Sequence, residues 1–221
     1  MCGIMGEYSS ELITKLDFKK LLELSKNRGP DMSGYYIGSN IQFGFNRLSI
    51  IDKSKNGNQP IVSPSGRYVI MCNGEIINYK DIQNYCSINN SRLRSSSDIE
   101  IFAHAIDKLG FYKLVEMIRR MYAISIYDNK KNDLHLLRDP AGIKPIYFAK
   151  IDTGWIFASQ YDQIFKHPKY KLNIEINQNS LTEYLKLGYI PPPNALYKNS
   201  WMLKPGHYIT INNKYMARNK A

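Results

Sequence analysis

Short runs rich in Ile, Tyr and Phe recur along the chain, at 35–37, 41–51, 68–72, 121–127, 134–137, 146–149, 155–158 and 208–211, with Gly- or Asn-containing turns between them. β-Branched and aromatic residues fit a pleated, half-buried surface, so these runs read as strands. Helical signals are fewer. Thr14 followed by Asp17 resembles a capping box with the shorter acid, and Phe18, Leu21, Leu22 and Ser25 make one buried stripe before Gly29-Pro30 stops the helix. Ser97 with Glu100 predicts a second box, opening a helix whose Ile99, Phe102, Ala103 and Ile106 face inward and which ends near Gly110. Phe111, Leu114, Val115 and Ile118 predict one more short helix. Strands and helices do not alternate regularly, and neither G-x-G-x-x-G nor G-x-x-x-x-G-K-[ST] occurs. A doubly wound parallel sheet is thereby disfavoured, and the class is sheet-dominated α+β.

The 221 residues fit one domain or two small ones, with 43% hydrophobic and 22% charged residues at globular averages. No apolar run approaches the roughly 18 to 20 residues that span a bilayer, and no signal segment opens the chain, so a cytoplasmic protein without a membrane partner is expected. Cys2, Cys72 and Cys86 are too few and too unevenly spaced for a disulfide framework or a metal knuckle. His104, His135, His167 and His207 share no ligand spacing, and no metal site is expected. The net charge of +11 raises the question of a polyanionic partner, but basic residues come in scattered pairs and no nucleic-acid motif is present. Nucleic acid is not an expected partner.

Cys2 becomes the first residue if Met1 is excised, which a small second side chain generally permits. The freed α-amino group, with a pKa of roughly 7.7 to 8.0, is then a general base on the same residue as the thiol nucleophile. Attack on an amide creates an oxyanion, which needs prealigned donors. Asn73-Gly74, at the end of an apolar run, offers a side-chain amide and an accessible backbone N–H. Each signal alone is weak: a Cys after Met is common, and Asn-Gly most often makes a hairpin turn.

Taken in order, the blocks Met1-Cys2-Gly3-Ile4, Arg28-Gly29-Pro30-Asp31, Arg47-Leu48-Ser49-Ile50-Ile51-Asp52, Gln59-Pro60, Asn73-Gly74-Glu75-Ile76, Ser97-Asp98-Ile99-Glu100, Arg138-Asp139, Lys144-Pro145-Ile146-Tyr147 and Ala158-Ser159 resemble the class II glutamine amidotransferases. The glutaminase domain of that family belongs to the N-terminal nucleophile hydrolases. The Arg-Leu-Ser-Ile-Ile-Asp block and the late Gly188-Tyr189-Ile190-Pro191 and Leu203-Lys204-Pro205-Gly206-His207-Tyr208 look most like the glutamine-hydrolysing asparagine synthetases. The resemblance implies a four-layer αββα sandwich of two antiparallel sheets. It implies Cys2 as nucleophile and Asn73 with the Gly74 N–H as oxyanion hole. It implies that Arg47 holds the α-carboxylate of L-glutamine, that Glu75 and Asp98 receive the α-ammonium, and that backbone of Leu48, Ser49, Ile50 and Ile51 lines the same pocket. An Arg and two acids suit a free zwitterionic amino acid independently of the resemblance, since a planar guanidinium pairs a carboxylate bidentately and a peptide interior would leave those charges unpaired.

The family pattern is broken at Asn27, Arg120, Leu137 and Gln160, none of which is assigned to chemistry. The glutaminase domain is expected over 1–211, with 212–221 a polar C-terminal tail. No Ser-Gly-Gly-rich nucleotide loop occurs, so the chain reads as the glutaminase half alone. That half is expected to need no cofactor. ATP and Mg²⁺ are expected only in a synthetase (ATP-pyrophosphatase) domain, as a separate or truncated partner. Two alternatives stay open: the donor half of an amidotransferase acting on a sugar acid or other carboxylate, and a catalytically silent interaction or regulatory domain.

Overall fold

The computed structural model describes residues 1–50, 52–119 and 121–212, and the main chain of 216–220. In chain order the elements are β1 (Gly3–Ser9), α1 (Lys15–Glu23), β2 (Met32–Ile37), β3 (Ile41–Arg47), β4 (Ile61–Val62), β5 (Tyr68–Gly74), α2 (Tyr79–Tyr85), α3 (Asp98–Met117), β6 (Tyr122–Asp128), β7 (Asp133–Arg138), β8 (Tyr147–Ile151), β9 (Gly154–Ala158), α4 (Tyr161–Phe165), α5 (Gln178–Leu187), β10 (Ser200–Met202), β11 (His207–Ile211) and β12 (Met216–Lys220). They build two antiparallel sheets, ordered β10-β8-β9-β1-β3-β2 and β12-β11-β7-β6-β5-β4.

Three cores divide the molecule into four layers. Ile4, Phe43 and Phe45 of the first sheet meet Val69, Met71, Leu134 and Ile209 of the second in the central core. Met5, Ile156 and Ala158, on the opposite face of the first sheet, pack against Phe18 and Leu22 of α1 and Ile164 of α4. Ile70, Cys72 and Ile124, on the opposite face of the second, pack against Ile82 of α2 and Ile99, Phe102 and Ile106 of α3. The alternation along each strand produces both faces at once, and the helices close them, giving the αββα sandwich.

The capping expectation holds at α1, where Thr14 Oγ1 accepts the Asp17 N–H at 3.2 Å. At α3 Ser97 occupies the N-cap position without a side-chain cap bond, and Glu100 instead accepts the Arg94 N–H at 2.7 Å and the Ser95 hydroxyl. Gly110 breaks α3 with φ 75°, separating the segment carrying Ile99 to Ile106 from the one carrying Phe111, Leu114 and Val115. The run at 41–51 is a strand only as far as Arg47, whose side chain bonds the carbonyls of Asp52 and Ser54 in the segment that follows. Within the stretch expected as a polar tail, 212–221, the main chain of Met216–Lys220 pairs antiparallel with β11, from Ile211↔Met216 to His207↔Lys220. Residues 213–215 and 221 of that expected tail, with Ile51 and Arg120, lie outside the described residues.

Candidate active site

Three side chains reach the site as the last inward positions of alternating rows. Cys2 continues the row of Ile4 in β1, Arg47 the row of Phe43 and Phe45 in β3, and Asn73 the row of Val69 and Met71 in β5. β1 and β3 pair with Gly3 opposite Asn46, which brings Cys2 beside the segment after Arg47. The period of two therefore carries all three to the same end of the intersheet space.

A cavity of about 110 Å³ opens there, with Cys2, Arg47, Leu48, Ile50, Asn73, Gly74, Glu75 and Asp98 among its walls. Ser49 stands outside that wall: its N–H donates to Asp31 Oδ2 at 2.7 Å, and its buried hydroxyl has no partner among the described residues. Ile51 is outside the described residues.

The Cys2 sulfur lies 3.5 Å from the Leu48 N–H and 3.7 Å from the Leu48 carbonyl, and Arg28 Nε donates to the Cys2 carbonyl at 3.1 Å. Burial pushes the thiol up, opposed by the Leu48 backbone, the chain's N-terminal ammonium, Arg47 and Lys144. Cys72 and Cys86 are also raised by burial, Cys72 well above the ordinary range, and both are closed to solvent at 3% and 6% exposure. Cys2 is the half-buried thiol of the three.

Asn73 is fully buried, yet neither its Oδ1 nor its Nδ2 has a hydrogen-bond partner among the described residues. An unpaired buried carboxamide is costly, and this one lines the cavity wall. Gly74 beside it has φ 154°, and a Cβ there would stand 2.1 Å from the Met121 carbonyl oxygen, so only glycine fits this bend.

Arg47, Glu75 and Asp98 all line the wall. Arg47 Nη1 donates to the Ser54 carbonyl at 2.6 Å and Nη2 to the Asp52 carbonyl, which fixes the guanidinium fork. Asp98, at the first turn of α3, accepts the Ile76 N–H at 2.7 Å and the Ile99 N–H at 2.9 Å. Burial raises the Asp98 carboxyl, the backbone bonds oppose this, and the nearby Glu75 raises it further. Two acids in mutual repulsion gain most from a cation placed between them.

Sequence reasoning assigned no role to three further residues on this wall. Gln59 bonds the Cys72 peptide, Asp52 joins two loops, and Lys144 is 8% exposed beside the thiol. All three stand inside the motif blocks, but only their spatial neighbours reveal what they touch.

Residues 1–220 match the family described as glutamine amidotransferase domain. The chain belongs to that family. This amidotransferase domain is 33% identical over 221 residues to asparagine synthetase [glutamine-hydrolyzing] 2 of Bacillus subtilis, with 96% of this chain and 29% of that protein covered. It is 30% identical to asparagine synthetase [glutamine-hydrolyzing] 1 of the same organism, covering 96% of this chain and 33% of that one. With the putative asparagine synthetase 2 of Methanocaldococcus jannaschii it shares 30%, over 92% of this chain and 42% of the relative. The domain thus spans well under half the length of these relatives. Among solved structures, glutamine PRPP amidotransferase from B. subtilis superimposes with TM-score 0.71 over 99% of this chain and 49% of that one, at 18% identity, which shows the shared fold. Among the described residues no group of three or more His, Cys, Asp or Glu is placed to hold a metal ion, and no helix is long and apolar enough to cross a membrane.

Proposed function

We propose that the chain hydrolyses L-glutamine to L-glutamate and ammonia through a thioester on Cys2, as the ammonia-donor half of an asparagine-synthetase-like amidotransferase. The observation that carries this reading is the convergence of a half-buried thiol with an unpartnered buried carboxamide, Asn73, on one small cavity whose walls also hold Arg47, Glu75 and Asp98.

After removal of Met1, the Cys2 α-amine takes the thiol proton as sulfur attacks the substrate's carboxamide carbon. The amine is needed because burial raises the thiol and leaves little thiolate at neutral pH. Asn73 Nδ2 and the Gly74 N–H receive the developing oxyanion. The intermediate collapses, the C–N bond breaks, and the leaving nitrogen takes the proton from the α-amine and departs as ammonia. Water then attacks the thioester, with the same amine as base, releasing glutamate and the free thiol. Arg47 binds the substrate α-carboxylate, and Glu75 with Asp98 the α-ammonium.

The names of the relatives favour aspartate-derived chemistry over a sugar acid as the acceptor side. We assign carboxylate activation, with its ATP and Mg²⁺, to a synthetase domain not represented in these 221 residues, because this sequence carries no phosphate-cradling loop. A cytoplasmic setting, which keeps thiols reduced, fits the three free cysteines. The test is product analysis: glutamine alone should yield glutamate and ammonia, and added aspartate with ATP should yield no asparagine. Glutamine left intact under all conditions would favour the silent-domain reading.

A further inference from the structure

Asp52 lines the same cavity wall as Arg47, Glu75 and Asp98. Its Oδ1 accepts the Ser54 N–H at 2.6 Å, and its Oδ2 accepts the Ser96 N–H at 3.0 Å, from the segment that leads into α3. Its main-chain carbonyl accepts Arg47 Nη2, and the Ser54 carbonyl accepts Nη1. The side chain is only 7% exposed. One residue therefore grips both the loop that orients the guanidinium and the segment that reaches Asp98 two residues after Ser96.

We infer that Asp52 is a positioning residue that sets the span between the carboxylate-binding and ammonium-binding ends of the pocket, and thereby its selectivity for a free α-amino acid amide. The inference rests on the glutaminase reading above. A carboxylate suits the task because it accepts on both oxygens, so two N–H groups from different loops are held at one fixed separation by charge-assisted bonds. Burial alone would raise the Asp52 carboxyl, but the bonds from Ser54 and Ser96 and the Arg47 charge hold it below its ordinary range. Asparagine has the same size yet must turn an NH₂ toward one of the two N–H groups. That releases one tether while leaving the Asp52 main-chain carbonyl available to Arg47.

The experiment compares kcat and KM for L-glutamine, for glutaramate, which lacks the α-amino group, and for 4-aminobutanamide, which lacks the α-carboxylate. In the wild type both truncated amides should be the poorer substrates. Asp52→Asn should reduce both preferences together by about tenfold, mainly through a higher KM for glutamine. Alkylation of Cys2 by iodoacetamide should stay within about twofold, since the tether does not touch the sulfur. Ser54→Pro supplies a second reading if Asp52→Asn fails to fold. Ser54 already has φ −74°, so proline fits and keeps the carbonyl for Arg47 while deleting the N–H to Asp52, and both preferences should fall by about threefold. Equal losses for all three substrates, or a fall in one preference alone, would overturn the inference while leaving the glutaminase reading intact. A wild type that releases no ammonia from glutamine overturns both.

Discussion

The Gln59 carboxamide meets both main-chain polar groups of Cys72: its Oε1 accepts the Cys72 N–H at 2.6 Å, and its Nε2 faces the Cys72 carbonyl at 3.4 Å. Gln59 thus does for β5 what a neighbouring strand would do, two residues before β4 begins. The next residue is Asn73, whose own side chain has no tether among the described residues. Its aim is therefore set by the backbone on either side.

Replacing Gln59 by leucine should consequently lower kcat for glutamine about tenfold with little change in KM, because an oxyanion donor acts in the transition state. Steady-state kinetics decide this. A rise in KM with kcat unchanged would place Gln59 in substrate binding instead.

Removal of Met1 is the second expectation. Met1 stands on the cavity wall, and its sulfur lies 3.9 Å from Arg28 Nη2. An acylated nitrogen on Cys2 cannot act as base. Intact-mass measurement of active protein should show a chain one methionine short, and an uncleaved N-terminal tag should abolish glutaminase activity until it is removed. Full activity with Met1 uniformly retained contradicts the assignment.

Gly74→Ala should cost more than about 1 kcal/mol of stability and most of the activity, since a Cβ would press on the Met121 carbonyl at 2.1 Å in a backbone region that L side chains rarely enter. Denaturant titration alongside the glutaminase assay checks it. A Gly74→Ala chain as stable and as active as wild type would remove Gly74 from the site.

Acid stability carries a signature of His135. The ring is buried, bonded to Thr210 Oγ1 at 2.9 Å and stacked on Phe111 with centroids 3.9 Å apart, and burial lowers its pKa from 6.5 to about 4. The unfolded chain binds the proton first, so this contribution is intact above pH 6.5 and is lost as pH falls toward 4, by up to about 1.4 kcal/mol per pH unit. Denaturant midpoints across that window should show a steeper acid slope for wild type than for His135→Gln. Identical slopes would mean that the folded protein protonates this ring as readily as the unfolded one does.

Which parts of this were legible in the sequence follows from how local the signals are. Val69 to Cys72 form a continuous apolar run, so the strand can be read, but both its faces are buried and the inward aim of Asn73 follows only from the packing of β5 between the two cores. β1 cannot be read, because Gly3 and Gly6 interrupt its pattern and every position of Gly3–Ser9 is buried. Gly6 is there for the fold: a Cβ would meet the Phe157 ring at 2.3 Å. The Ser97 and Glu100 pair has the spacing of a capping box, but Glu100 is drawn to the Arg94 N–H, a partner that only the tertiary loop supplies. Asp52 and Gln59 act on main-chain atoms of distant segments, and no periodicity encodes such contacts.

The most direct measurement is ammonia release from L-glutamine by the purified chain beside Cys2→Ala, with peptide mapping after treatment by a glutamine-like diazo-ketone. Steady release by wild type, none by Cys2→Ala, and adduct on Cys2 with Cys72 and Cys86 unlabelled is the result expected. Release at equal rates from both proteins, or adduct on Cys86 in place of Cys2, would contradict the account.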